Sequence, residues 1–258
     1  MNTFCEKAFG LKDRRAVITG AGRGIGRAMA EALAAMGAEV CIHYYTSQKK
    51  AQEVVETINA NGGKAWAAGA DLTDSAATKA LFAKVQDRWG ALDILVNNTG
   101  DLVQRSTTEN FTDDLIDTVL KVNLHTTLYA SREAIPLLKK GVKPSIINLS
   151  SVAAHMGGLN GAALYASTKG AIHTYTRGLA KELAPQIRVN GIAPGLTMTD
   201  FQRRHSSEEL LEGVAQKTPL QRIGTAEEMA AAAVLLCGDG ASFITGEVLE
   251  INGGLWVA

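Results

Sequence analysis

Tyr165 and Lys169 stand four residues apart in the run ALYASTKG. Four residues make roughly one helical turn, so a helix here would put a phenol and an ammonium on one face, about 5–6 Å apart. A free phenol titrates near 10 and needs help to move a proton at neutral pH. A neighbouring positive charge favours its ionised form, so the pair could exchange a proton with a reacting oxygen. A surface pair or a half-buried core aromatic would look the same in isolation.

A second group of residues suits a phosphate. TGAGRGIG, Thr19 to Gly26, follows a short apolar run and opens a helical pattern. Glycines let the backbone turn tightly and approach a pyrophosphate, whose charge is met by the helix N-terminus. The literal G-x-G-x-x-G fingerprint fails, because Ile25 and Arg27 fall where its last glycine would. What stands is Gly20-x-x-x-Gly24-x-Gly26, with Thr19 ahead of it.

The elements that must position these groups alternate along the chain. RRAVITG, AEVCIHYY, KAWAAGADLTD, LDILVNNTG, PSIINLSS, IRVNGIAPG and GEVLEING read as strands. Helical patterns cover Gly24 to Met36, SQKKAQEVVETINANGG, SAATKALFAKVQDRWG, about Thr112 to Leu138, Leu164 to Leu183, and TAEEMAAAAVLLCG. Short strands that are apolar on both faces and alternate with helices predict an α/β, doubly wound Rossmann fold: a seven-stranded parallel sheet with helices on both faces. With no linker or repeat, residues 1–258 read as one dinucleotide-binding and catalytic domain.

Composition narrows the partners. Lys plus Arg and Asp plus Glu both number 26, so no basic excess favours nucleic acid or an anionic membrane. No stretch reaches the apolar length of a membrane span, and the charged start does not read as a secretory signal. Cys5, Cys41 and Cys237 are widely separated and odd in number, which suits small buried hydrophobes in a reducing compartment and predicts a cytoplasmic protein. The five histidines show no ligand spacing such as H-x-x-x-H, so no metal is expected.

The glycine pattern resembles that of the short-chain dehydrogenase/reductase family, single-domain type, and further motifs follow in the family's order. NNTG (Asn97 to Gly100) stands where the family usually has Asn-Asn-Ala-Gly, and Asp71 begins DLTD after the third strand. Asn123, Ser151, Tyr165-x-x-x-Lys169 and PGLTMT (Pro194 to Thr199) complete the set. The resemblance implies cofactor contacts from Thr19, Gly20, Arg23, Gly24, Ile25, Gly26, Tyr44, Asp71, Leu72, Asn98, Gly100, Tyr165, Lys169, Pro194, Gly195 and Thr199. It implies Tyr165 as general acid or base, Lys169 as its electrostatic partner and ribose ligand, Ser151 as carbonyl ligand, and Asn123 as holder of a relay water. The end of the second strand holds Tyr44 and Tyr45 rather than the acid that commonly binds an NAD ribose, and Arg23 sits in the glycine loop. That favours NADP(H) over NAD(H); Lys49 and Lys50 could assist or lie on a solvated face.

One departure concerns the serine. The family's serine usually precedes its tyrosine by thirteen residues, whereas Ser151 precedes Tyr165 by fourteen and Ser150 by fifteen. The intervening loop has Gly157, Gly158 and Gly161 to absorb an insertion.

Residues 199–219 fall at the family's substrate lid. Arg203, Arg204 and His205 there, with His155, could read an anionic substrate such as a keto-acid sugar, or could be solvated charges paired with Glu208 and Glu209. A small-molecule ketone or sugar reductase ranks first. A 3-oxoacyl-(acyl carrier protein) reductase ranks second: Lys139, Lys140 and Lys143 could dock an acidic carrier, but Gln186 stands where those reductases usually have arginine. A non-catalytic nicotinamide-sensing module would lose the tyrosine or lysine, and both are present. The longer sugar-nucleotide epimerases share Tyr-x-x-x-Lys but differ in glycine spacing and carry an extra C-terminal domain. Relatives of this length imply a homotetramer or dimer, with LEINGGLWVA compatible with burial at the interface.

Overall fold

The structure is a computed structural model and describes residues 3–257. Seven strands form one sheet: β1 Arg15–Ile18, β2 Glu39–Tyr44, β3 Lys64–Gly69, β4 Ile94–Asn97, β5 Ser145–Leu149, β6 Arg188–Pro194 and β7 Val248–Ile251. Their order is β3-β2-β1-β4-β5-β6-β7, with every pairing parallel. The central strands are buried on both faces, as all four residues of β4 and all five of β5 illustrate. Such strands must be covered on both sides, and they are.

Helices α2 (Gly24–Ala35), α3 (Gln48–Ala60) and α11 (Ala226–Cys237) supply one apolar layer with Ile18, Ile42 and Ile94. Helices α4 (Ser75–Trp89), α6 (Thr126–Leu138) and α8 (Ala163–Leu183) supply the other with Val17, Leu95 and Ile146. Alternate residues of one strand thus enter opposite cores. The sequence pattern left Thr3–Phe9 without a helix, and the structure forms α1 there.

The expected long helix from Thr112 to Leu138 is interrupted. Asp113–Leu120 (α5) and α6 flank a π-helical stretch at Lys121–His125. Asn123 explains the widening: its side-chain Nδ2 donates to Val119 O at 3.0 Å, the carbonyl one α-helical turn back. A side chain that takes a ladder carbonyl displaces the i→i−4 bond and lets the turn expand. Three short helices complete the set among the described residues: α7 Ala153–Met156, α9 Asp200–His205 and α10 Glu208–Lys217.

Candidate active site

Strand order reverses between β1 and β4, and ligands of such sheets bind beyond the carboxyl ends of the strands at that point. The β1–α2 loop lies there. Gly20 and Gly24 have φ of +63° and +56°, which a side chain would strain. A Cβ on Gly26 would stand 2.4 Å from Asn98 Nδ2 and 2.7 Å from Gly20 O, so helix and strand approach more closely than alanine permits.

Three residues pin this loop. Thr19 Oγ1 accepts from the backbone N–H of Asn98 (2.9 Å) and Thr99 (3.0 Å), and Asn98 Nδ2 donates back to Thr19 O (2.9 Å). His43, which the sequence did not single out, accepts the Gly20 N–H at Nδ1 (3.1 Å) and meets Ala70 O through Nε2 (3.1 Å). That pair of bonds assigns the proton to Nε2. Burial pushes the His43 pKa down to about 4, against the Ala70 bond and the Asp71 charge, so the imidazole is neutral. No signal short of the fold could have found it, because its partners lie 23 and 27 residues away.

The cradle fits a dinucleotide. Helix α2 starts with no acid in its first turn, leaving its positive end open to an anion. Thr99 Oγ1 is buried beside Gly20 with no partner among the described residues. Arg23 is exposed at the mouth. Tyr44 ends β2 with its ring against Gly69. Asp71 accepts from Thr73 N (2.9 Å) and Oγ1 (2.7 Å), a local turn, while the Leu72 side chain is core. Pro194 O accepts from Val152 N, Gly195 N donates to Ile251 O, and Thr199 packs on Gly24 from above.

The same cavity, about 250 Å³, is lined by Gly20, Ile25, Asn98, Gly100, Ser151, Tyr165, Lys169 and Thr199 among others. Helix α8 brings Tyr165 and Lys169 to one face, with Lys169 Nζ 5.7 Å from the centre of the tyrosine ring. Lys169 is 4 % exposed, and its ammonium donates to Leu149 O at 2.8 Å. Burial lowers its pKa to about 8. Burial also raises Tyr165 to about 12, opposed by the Ser151 hydroxyl that hydrogen-bonds it and assisted by the Asp101 charge. The chain by itself therefore holds the phenol protonated.

Ser151, not Ser150, meets the tyrosine. Ser150 is turned inward, donating to Lys169 O at 3.0 Å. Ser151 Oγ accepts from Ala153 N at 3.1 Å, which starts α7. The extra residue is absorbed beyond α7, where Gly157, Gly158, Asn160 and Gly161 all take positive φ. The folded-back loop is held to Ser106 N by Gly161 O and to Arg105 by Leu159 O. Asn123, fully buried behind Gly100, accepts from Asp101 N (3.1 Å) and donates to Asp101 O (2.7 Å). A Cβ on Gly100 would meet Asn123 Oδ1 at 2.7 Å and Lys169 Nζ at 3.3 Å.

The basic residues of the lid region have other partners than the sequence suggested. Arg204 pairs with Asp101 at 2.9 Å and His205 with the same carboxylate at 2.7 Å, rather than with Glu208 or Glu209. Although burial alone would raise it, the Val103 N–H and the Arg204 and His205 charges hold the Asp101 pKa below the usual range. Arg105 Nε adds a bond to His205 O at 3.0 Å. Arg203 lies 3.7 Å from Asp200 and faces solvent. His155 is not grouped with them: it bonds Glu250 at 2.9 Å and stacks on Trp256. Asp101 and Arg105, which fasten α9 over the cavity, carry no sequence signal beyond their charge.

Comparison with known proteins agrees with this geometry. A family model described as Enoyl-(Acyl carrier protein) reductase matches residues 20–256. The chain is 39% identical to an uncharacterized oxidoreductase, YgfF, of Escherichia coli over 243 residues, covering 93% of this chain and 98% of that one. It is 37% identical over 249 residues to the 3-oxoacyl-[acyl-carrier-protein] reductase FabG of Staphylococcus aureus, covering 95% and 98%. A crystal structure of a short-chain dehydrogenase from Burkholderia cenocepacia in complex with NADP superposes with a TM-score of 0.88 at 36% identity, covering 95% and 98%. With the glycine cradle and the Tyr165–Lys169 helix sharing one cavity, the chain belongs to the short-chain dehydrogenase/reductase family and is an NAD(P)-dependent oxidoreductase.

Proposed function

We propose that this oxidoreductase transfers hydride between NADP(H) and a small-molecule ketone or secondary alcohol, with Tyr165, Ser151, Lys169 and Asn123 as its catalytic residues. The observation that carries the reading is that Ser151, Tyr165 and Lys169 line one cavity together with the glycine cradle. The glycine loop and Thr199 hold the dinucleotide, and the nicotinamide supplies the hydride. Tyr165 donates its phenolic proton to the carbonyl oxygen as the alkoxide forms, and Ser151 hydrogen-bonds the same oxygen as its charge develops. A phenol held protonated, with its pKa raised to about 12, suits that acid role.

Lys169 spends one of its three donors on Leu149 O. The others remain for the nicotinamide ribose and for a relay toward Asn123 that reprotonates the tyrosine. In alcohol oxidation the same groups run in reverse, and the cationic lysine favours phenolate. Helices α9 and α10, within residues 199–219, act as the lid. Among the basic residues there, Arg204 lines the cavity, but its pairing with Asp101 argues against a free anion reader. We take the substrate as a keto-sugar or other polar ketone that lies beneath this lid.

The preference for NADP(H) rests on Arg23 at the mouth and on the lack of an acid at the end of β2. Lys50, at the same mouth, is already paired with Asp200 at 3.1 Å and leaves Arg23 to carry the preference. The test is the ratio of kcat/KM for NADPH to that for NADH. Arg23→Ala lowers it by roughly tenfold or more if a charge-assisted bond to the 2′-phosphate is lost. An unchanged ratio refutes the assignment.

A second reading is 3-oxoacyl-(acyl carrier protein) reduction, favoured by the likeness to FabG. Lys139 and Lys140 are exposed, whereas Lys143 is already paired with Asp239. A carrier-bound 3-oxoacyl thioester turned over far better than its small free thioester analogue would support it. Homo-oligomerisation, as tetramer or dimer, would cover the exposed Phe243, Leu220 and Val257.

A further inference from the structure

His155, His173 and Glu250 come from three separate elements, α7, α8 and β7, and their ligand atoms lie within 4.8 Å of one another. We infer that they form a binding site for one zinc-like divalent cation, outside the catalytic cavity and independent of the hydride-transfer reading. His173 is the decisive member. It is 6 % exposed, and neither ring nitrogen has a hydrogen-bond partner among the described residues. A buried imidazole with two unsatisfied nitrogens is costly and uncommon. Here it is also aimed at a carboxylate and a second imidazole, with the two histidine rings 4.8 Å apart and edge-to-face.

The remaining geometry prepares the other two ligands. Glu250 offers Oε1 to His155 Nε2 at 2.9 Å, while Asn252 Nδ2 donates to Oε2 at 3.3 Å and orients the carboxylate. Trp256 lies flat on the His155 ring, with centres 3.6 Å apart and planes 6° from parallel. Outer contacts of this kind fix first ligands around a metal. Two imidazoles and one carboxylate match the borderline softness of zinc and leave a fourth tetrahedral position for water. Arg177, one turn further along α8 and exposed, is a positive charge that opposes a cation beside His173.

Coordination would tie α7 to α8 and β7. Helix α7 begins two residues after Ser151, so the ion would brace the long loop from behind. Sequence spacing could not reveal such a site, because its ligands lie 18 and 77 residues apart along the chain.

The test uses the full-length, tag-free protein carrying Cys5→Ser, which removes the one thiol that is not buried. Co²⁺ is titrated by visible absorption and Zn²⁺ by calorimetry and thermal unfolding. The expected result is one ion per chain, a tetrahedral Co²⁺ spectrum and a rise in Tm with Zn²⁺. His155→Ala and Glu250→Gln, both at partly exposed positions, should weaken binding by at least roughly tenfold while far-UV circular dichroism shows the fold intact. His173→Ala should do the same, and should it fail to fold, the other two variants decide. No saturable one-equivalent binding to the parent protein, or equal affinity in both variants, overturns the site.

Discussion

His43 should make the nucleotide loop acid-sensitive in a way that can be isolated by substitution. Its Nδ1 accepts the Gly20 N–H and its Nε2–H donates to Ala70 O. His43→Ala leaves a buried donor and a buried acceptor unpaired, each costing roughly 1–3 kcal/mol, so roughly 2–6 kcal/mol in all. His43→Asn places an amide oxygen near the former Nδ1 and should restore the Gly20 bond, recovering about half of that loss. The pH dependence has a definite sign. The native pKa is pushed down to about 4 from an ordinary 6.5, so between these values the unfolded chain binds a proton that the native chain refuses. Stability contributed by neutral His43 is complete above pH 6.5 and is lost as pH falls toward 4.

At about 1.4 kcal/mol per pH unit the separation amounts to about 3 kcal/mol. Asparagine does not titrate, so the stability gap between wild type and His43→Asn should narrow by about 3 kcal/mol from pH 7 to pH 4. Urea unfolding at fixed protein concentration across this range measures it, with other acid-labile groups common to both proteins. A gap that does not change with pH, or alanine and asparagine variants of equal stability, would refute the reasoning.

Other consequences follow from the same contacts. Gly26→Ala should weaken NADPH binding by at least roughly tenfold, because the Cβ would stand 2.7 Å from the Gly20 carbonyl and force the loop outward; fluorescence titration of the cofactor reads this directly. Asp101→Asn removes the charge that pairs Arg204 and His205, and KM for the carbonyl substrate should rise more than kcat falls. Because that charge also raises the Tyr165 pKa, the acidic limb of the variant's alcohol oxidation, where the rate rises as Tyr165 ionises, should move to lower pH. A shift to higher pH would sink the electrostatic assignment.

The alternation of apolar strands and helices made the sheet legible, since β4 and β5 are buried on both faces and read as continuous apolar runs. Tyr165 and Lys169 were legible because a helix fixes their spacing. The π stretch at Asn123 was not, since a widened turn arises from one side chain capturing Val119 O and leaves no mark on hydrophobic periodicity. Nor was the partnership of Arg204 and His205 with Asp101, over one hundred residues away in sequence. Local spacing suggested Glu208 and Glu209 instead. His43 and the His155–His173–Glu250 cluster depend likewise on elements that meet only in the folded chain. The fourteen-residue step from Ser151 to Tyr165 looked like an obstacle in sequence, and four left-handed residues beyond α7 dispose of it.

The most direct test of the catalytic assignment compares wild type with Tyr165→Phe, which keeps the ring and removes only the phenolic hydroxyl. NADPH-dependent reduction of a carbonyl panel is measured alongside NADPH affinity by fluorescence. Loss of the proton donor should reduce kcat by roughly 10²-fold or more, with cofactor affinity within about threefold of wild type. Undiminished turnover in Tyr165→Phe would contradict the assignment.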